Sequence, residues 1–423
     1  MLIEFRVANF LSFEDVATLS MSATSDKEHE DSNVLSINDK RLLKSAVIYG
    51  ANAAGKSNFI NAMSFMRAFV LFTPRLSKRG AVPDLTFKLN RKNRKEPSYF
   101  EVIFFQNNQR FRYGFEVWNN KVVTEWLFYT PTTREAMLFT RNEEDGIALG
   151  AAFKEAKGLE GKPKENRLFL AYVAEFNNEE SISQAVVNWF KGFNVMRNLE
   201  PYFNLDFTLH MLERHGESYK AKLLNFLRKF DVLDDFEVKR IGHTQEFPDD
   251  MPKEVQAYFK NDEDEPSIVI KRNVYEEGKI VGVEEFDLME DESEGTKKLF
   301  AFAGFFLSAL EHGKVLVADE LESSLHPLIT RKIIELFNSE KSKAQLIFAT
   351  HDTNLLSNRF FRRDQIWFVE KSRQGASCLF SLAEYKDGKP RKDASFGKDY
   401  ILGKYGAIPF LGNFDDLVDG KRD

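Results

Sequence analysis

Gly50-Ala51-Asn52-Ala53-Ala54-Gly55-Lys56-Ser57 has the spacing G-x-x-x-x-G-K-S, and its flanks decide how it is read. Ahead of it, Ser45-Ala46-Val47-Ile48-Tyr49 is an apolar run of strand length; behind it, Asn58 to Val70 carries apolar residues at helical spacing. A strand, a glycine loop and a helix in that order make a phosphate cradle. The two glycines let the backbone curl so that successive N–H groups turn inward, and the positive end of the helix adds its pull on an anion. Contacts to a nucleotide are expected from Gly50, Asn52, Gly55, Lys56, Ser57 and Asn58. Lys56 would meet the β- and γ-phosphates and Ser57 a magnesium ion. A glycine-rich turn without a ligand is the bland alternative.

A second set of polar groups lies far along the chain. Lys314-Val315-Leu316-Val317-Ala318-Asp319-Glu320 is an apolar strand ending in two acids. Buried strands rarely end in adjacent carboxylates unless something there needs them, and magnesium does. Asp319 is expected to hold the ion together with Ser57, and Glu320 to polarise an attacking water as general base. A solvated acid at a strand end is the rival reading of Glu320. Ala344 to Thr350 is another buried strand, with His351 and Asp352 at its end. His351 can touch a γ-phosphate there, although a lone histidine is more often structural. Ser293-Glu294-Gly295-Thr296 opens the apolar helix Lys297 to Leu310. Ser293 and Gly295 at that helix start can hold a γ-phosphate presented by another subunit, and an ordinary helix cap reads equally well.

Composition sets the outer limits. A chain of 423 residues, 43% hydrophobic, can bury a sizeable core and suggests two or three domains or one large domain with an insertion. A net charge of -6 argues against a uniformly basic nucleic-acid protein. The one cysteine, Cys378, provides neither a disulfide framework nor a thiolate metal site, which fits a reducing cytoplasm. No apolar run approaches the length of a membrane helix and no signal peptide opens the chain, so a soluble cytoplasmic protein with no membrane partner is expected.

In chain order, Leu2 to Val7 and Val16 to Met21 read as strands, and residues 22–40 as a polar loop. Arg75, Lys78, Arg79, Lys88, Arg91, Lys92, Arg94 and Lys95 form a basic stretch over 75–95. It reads as a solvated loop or as a contact for nucleic acid or an acidic partner. Tyr99 to Tyr129 alternates as an antiparallel meander with a hairpin turn at Asn119-Asn120, its aromatic residues more core than base-stacking surface. Residues 150–260 read mainly as helices, among them Ser181 to Phe193 and Phe207 to Phe230, and 267–272 and 279–285 as strands. Neither a heptad repeat nor a Cys-x-x-Cys pair suggests a coiled-coil arm with a zinc hook.

Taken in order, Gly50 to Ser57, Ser293 to Thr296, Val315 to Glu320, Leu325-His326-Pro327 and Thr350-His351-Asp352 resemble the ABC-type ATPases of the SMC and RecF kind. Asn9-Phe10 with Ser12-Phe13, Glu320 to Pro327 and Tyr400 to Pro409 narrow the resemblance to compact ATPases of bacterial abortive-infection and anti-phage operons, of the RloA, AbiL and PARIS AriA kind. The resemblance implies an α/β fold: a P-loop NTPase of ABC-ATPase head type with an antiparallel β subdomain and a helical insertion. The expected lobes are 1–149, 150–264 and 265–423. It also implies ATP and Mg2+ as ligands, hydrolysis of ATP to ADP and phosphate, and a homodimer or larger assembly in which the loop of one subunit and Ser293 and Gly295 of another enclose the nucleotide. A nuclease or toxin-like effector on a separate chain is the implied partner; a RecF-like DNA clamp is the alternative. Thr296 and Lys297 stand where transporter-type signatures carry glycine and glutamine, and Leu11 where many relatives carry a basic residue. Gln106 and Gln109 lie where a Q-loop glutamine belongs, and either is equally a turn residue.

Overall fold

Ser45–Tyr49 (β5), buried at every residue, lies inside a six-stranded sheet. The order is Phe193–Met196 (β11), Val315–Ala318 (β15), Gln345–Ala349 (β16), β5, Ile366–Lys371 (β17) and Ser377–Ser381 (β18). The first five run parallel, and β18 returns antiparallel to β17. Unbroken runs such as Val315-Leu316-Val317-Ala318 suit a sheet covered on both faces, where no residue can point to water. Parallel strands also share one carboxyl end, the usual location of a ligand site. The computed structural model describes residues 1–72, 84–197, 201–241, 265–385, 395–409 and 412.

Lys56–Phe72 (α2) leaves the loop after β5 and buries Phe59, Ile60, Met63, Met66 and Phe69 on one side. A seven-stranded antiparallel sheet supplies partners for that side. Its order is Gly146–Leu149 (β10), Ala136–Asn142 (β9), Lys121–Thr130 (β8), Gln109–Trp118 (β7), Ser98–Gln106 (β6), Leu2–Ala8 (β1) and Ala17–Ser20 (β2). Phe5 meets Phe59 edge-on and Phe65 meets Phe100 at 5.0 Å between ring centres. Ile182–Gly192 (α4), capped by Ser181, adds Trp189, stacked on Phe104 at 4.1 Å. The meander's aromatic residues are therefore core: Phe100, Phe104, Phe111 and Phe115 are buried. Both asparagine pairs, Asn107-Asn108 and Asn119-Asn120, adopt positive φ and turn β6 into β7 and β7 into β8. Gln106 and Gln109 face each other across the first of these turns.

Two sequence expectations change. Residues 22–40 are not a plain loop: they hold Glu30–Asn33 (α1) and a hairpin of Val34–Ile37 (β3) with Lys40–Leu43 (β4). Their polar side chains pair with residues more than three hundred positions away. Fully buried Arg362 donates to the Glu28 carbonyl at 2.6 Å and to Asp364 at 2.8 Å; Asp364 accepts from the Thr24 N–H and hydroxyl, and Arg363 binds Asp26.

Residues 150–264, expected as a mainly helical insertion, contain Phe169–Glu175 (α3), α4 and Pro201–Arg228 (α5) but also the strands β11 and Asp235–Ile241 (β12). Contacts divide the chain into a first unit of Met1–Arg197, Ala309–Glu322 and Arg331–Asp423 and a second of Asn198–Ser308 and Ser323–Thr330. Residues 150–197 thus group with the first unit, because four residues, Phe193–Met196, extend its sheet beside β15. In the second unit α5, broken at Gly216, packs on Glu294–His312 (α6) through Phe207 stacked on Phe305 and the Thr208 hydroxyl bonded to Ala301. That unit also carries a three-stranded sheet of β12, Glu265–Glu276 (β13) and Lys279–Asp287 (β14). Pro327–Phe337 (α7) and Phe396–Ile401 (α8) complete the helices among the described residues. None of these helices is long and apolar enough to cross a membrane.

Candidate nucleotide-binding site

The loop after β5 has the two close approaches that require glycine. A Cβ on Gly50 would collide with the Val369 carbonyl, and one on Gly55, at φ +117°, with the hydroxyls of Ser12 and Ser377. Ser377 donates to the Ala54 carbonyl at 2.5 Å, its hydroxyl and that of Ser12 are hydrogen-bonded at 2.8 Å, and the Asn58 amide donates to the same Ser12 hydroxyl at 2.9 Å. Three side chains thereby brace the loop from the side of the protein. Asn52 and Ala53 are exposed at its crest. Asn58, expected among the nucleotide contacts, is engaged in this brace.

Lys56 is buried and its ammonium folds back over the loop, donating to the carbonyls of Gly50 at 2.8 Å and Ala51 at 3.1 Å. Burial pushes its pKa down to about 8, against the opposing pull of Asp319, Glu320 and Glu322. Those acids come from the end of β15. Burial raises the Asp319 carboxyl above its ordinary value and the charges of Glu320 and Glu322 add to this, while a hydrogen bond with Ser57 and the charge of Lys56 oppose it. Glu320 holds a left-handed backbone, φ +49°, an uncommon conformation for a residue with a side chain. From the end of β16, His351 is exposed on one side; burial of the remainder and the charge of Lys56 depress its pKa, and Glu322, Glu320 and Asp319 raise it.

The structure thus brings Lys56, Ser57, Asp319, Glu320 and His351 together at the carboxyl ends of three neighbouring parallel strands. Ser293 and Gly295 belong to the second unit. Ser293 is exposed and caps α6, its hydroxyl accepting from the Thr296 N–H at 3.3 Å. A Cβ on Gly295 would lie 2.6 Å from the Ser324 carbonyl, so glycine lets this helix start sit on the segment after the β15 acids. The residues fit a magnesium ion. Asp319 Oδ1 is sealed from solvent with no hydrogen-bond partner, and the Ser57 hydroxyl bonds to the same carboxyl group. Hydroxyl and carboxylate are the hard oxygen donors this ion prefers.

Three site residues escaped sequence reasoning. Ser12 and Ser377 lie far apart in the chain, and neither carries a signal beyond the Ser12-Phe13 pair. Glu322 accepts a hydrogen bond from the His351 N–H at 2.7 Å. Its place two positions after Glu320, in a run of three acids within four residues, was the available signal.

A family model described as "AAA domain, putative AbiEii toxin, Type IV TA system" matches residues 45–357. The chain belongs to this family. The matched span of this AAA protein runs from β5 to just past His351 and so contains the phosphate loop, the β15 acids and the histidine. Three solved structures resemble the AAA chain. The SMC head domain from Thermotoga maritima has 13% identity and a TM-score of 0.41 over 90% of this chain and 98% of its own. An SMC head bound to the C-terminal winged-helix domain of ScpA has 14% identity and a TM-score of 0.43 over 90% and 97%. An SMC head with an extended coiled coil, bound to the C-terminal domain of ScpA derived from Pyrococcus furiosus, has 16% identity and a TM-score of 0.38 over 90% and 96%. No curated protein matches the sequence.

Proposed function

We propose that this AAA protein is a magnesium-dependent ATPase that closes head to tail around ATP and serves a bacterial anti-phage system as its cytoplasmic sensor and switch, holding or activating a separate effector. The observation that carries the nucleotide part is the convergence of Lys56, Ser57, Asp319, Glu320 and His351 beside a loop whose glycines cannot be replaced without collision. The family's description, naming a type IV toxin–antitoxin system, supports the defence setting and a second component beside this chain.

The chain's groups divide the work by charge. Loop N–H groups and the start of α2 take the α- and β-phosphates, and Lys56 exchanges its loop carbonyls for β- and γ-phosphate oxygens. That exchange raises the Lys56 pKa again, since an anion replaces neutral acceptors beside a buried ammonium. Ser57 and Asp319 hold magnesium, which screens the phosphate charge when bound. Glu320 orients a water in line with the γ-phosphate and takes its proton. His351 contacts the γ-phosphate and reports its presence. Ser293 and Gly295 of a second copy complete the enclosure, so the dimer persists only while the γ-phosphate does; its loss changes the assembly and with it the effector.

Steady-state ATP hydrolysis by wild type, Lys56→Ala and Glu320→Gln, with and without double-stranded DNA at two salt concentrations, tests this reading. Activity lost in both variants and indifferent to DNA is expected, with a fall of about a hundredfold or more in Glu320→Gln. DNA stimulation that fades with salt transfers the assignment to a DNA clamp. Wild-type protein without Lys56-dependent nucleotide binding overturns it.

A further inference from the structure

Glu322 is not accounted for by the division of work above. Its carboxylate has two different environments. Oε1 accepts the His351 N–H at 2.7 Å, which ties the segment after β15 to the segment after β16. Oε2 is sealed from solvent and has no hydrogen-bond partner, as is Asp319 Oδ1. The two oxygens belong to one cluster, because the charge of Glu322 acts on Asp319, Lys56 and His351 alike. The segment between them is fixed: Leu321 is buried and its N–H reaches the Ala349 carbonyl at the end of β16. Glu322 therefore cannot swing into water to satisfy its free oxygen without releasing His351.

A buried carboxylate oxygen with no donor is costly, and it persists in a native fold where a donor or cation arrives with a ligand. Lys56 does not supply it here, since its ammonium is directed at the Gly50 and Ala51 carbonyls. We infer that Glu322 is a positioning residue for the metal–nucleotide complex: Oε2 accepts a hydrogen bond from water in the magnesium shell while Oε1 holds the His351 peptide, so that metal binding and the histidine's position are coupled through one side chain. Magnesium keeps several of its waters when bound to protein carboxylates, and outer-sphere acceptors of this kind orient them. The inference rests on the nucleotide reading proposed above and extends it to a residue that touches neither phosphate nor attacking water.

Glu322→Gln separates the two oxygens. The amide retains a carbonyl oxygen for the His351 N–H but replaces the other oxygen with a donor and removes the charge. The experiment follows wild type, Glu322→Gln, Glu322→Ala and Lys56→Ala by thermal unfolding of the ligand-free protein and by titration with a fluorescent ATP analogue over a range of magnesium concentrations and in EDTA. Glu322→Gln is expected to unfold at a higher temperature than wild type without ligand, because an unsatisfied buried charge is gone. It should bind the analogue equally in EDTA yet need about tenfold more magnesium or greater to reach half-maximal binding in its presence. Glu322→Ala should share the magnesium defect and lose thermal stability through the freed His351 peptide. A wild-type magnesium requirement in Glu322→Gln overturns the inference alone and reduces Glu322 to a staple between two loops. Binding that is insensitive to Lys56→Ala in the wild-type background overturns the nucleotide reading, and this inference with it.

Discussion

Gly55 separates backbone requirement from space at a single residue. At φ +117° any side chain is strained by about 1–3 kcal/mol, and a Cβ there also meets the hydroxyls of Ser12 and Ser377. Gly55→Ala should therefore abolish binding of a fluorescent ATP analogue and lower stability in urea. Adding Ser377→Ala should recover part of the stability and none of the binding, because the dihedral remains and the Ser377 bond to Ala54 is lost. Full recovery in the double variant would show that crowding alone selects glycine here. Residue types were legible at this scale: G-x-x-x-x-G-K-S, Asp319, Glu320 and His351 are visible in the sequence and converge in the fold. Ser12, Ser377 and Glu322 were not, since a serine bracing a loop and a carboxylate holding a peptide N–H have no spacing of their own.

At the scale of elements, α3 begins on a buried charge. Glu125 of β8 is fully buried and accepts from the N–H groups of Phe169 at 2.6 Å and Leu170 at 3.0 Å and from the Tyr113 hydroxyl at 2.9 Å. A strand thus supplies the cap that Leu168 cannot provide to its own helix. Glu125→Ala strands three donors in the core and should cost about 3 kcal/mol or more in urea unfolding. Burial raises the Glu125 carboxyl above its ordinary value, although Arg141 and the three donors pull it down. A carboxyl with a raised folded pKa contributes most below its unfolded pKa and loses that contribution as pH climbs through the folded one. Glu125→Gln, which does not ionise, should trail wild type most near pH 4 and narrow the gap toward pH 7, values bracketing the ordinary glutamate pKa of about 4.3. A gap that widens instead would mean the ionised form is the better cap. Sequence periodicity found α2, α4, α5 and the meander because each repeats its apolar spacing over ten or more residues or several strands. It missed β11, four residues long, and the hairpin of β3 and β4, which follows a polar stretch whose Thr24, Asp26 and Glu28 are satisfied by Asp364, Arg363 and Arg362.

At the scale of the whole molecule, the proposed enclosure of ATP needs two copies, with Ser293 and Gly295 serving the site of the other. Ser293→Arg places a bulky cation at an exposed helix start of the second unit and changes no residue of the Lys56 loop. Light scattering after gel filtration should find wild type and Glu320→Gln shifted toward dimer by magnesium-ATP, the latter persistently, and Ser293→Arg monomeric, with nucleotide affinity within about twofold of wild type at protein concentrations too dilute for either to dimerise. A Ser293→Arg protein that still dimerises on ATP would exclude this surface. In the basic stretch, Arg75, Lys78 and Arg79 lie outside the described residues, while Arg91, Lys92, Arg94 and Lys95 are exposed. The Asn9 side chain anchors that loop, donating to the carbonyls of Asn93, Glu96 and Pro97 and accepting from the Phe87 N–H.

The sequence by itself determined the strand–loop–helix cradle, the acids that end β15 and the histidine that ends β16, because each is encoded in a short contiguous run whose physics is local, and the order of those runs carried the resemblance that implied the class of fold. Only the tertiary structure decided which strands stand beside β5, that residues 150–197 join its sheet through β11, that Arg362 orders residues 24–30, and that Ser12, Asn58 and Ser377 brace one loop. Each of these depends on groups brought together across tens to hundreds of residues. Hydrogen bonds and burial at that range leave no period in the sequence from which to read them.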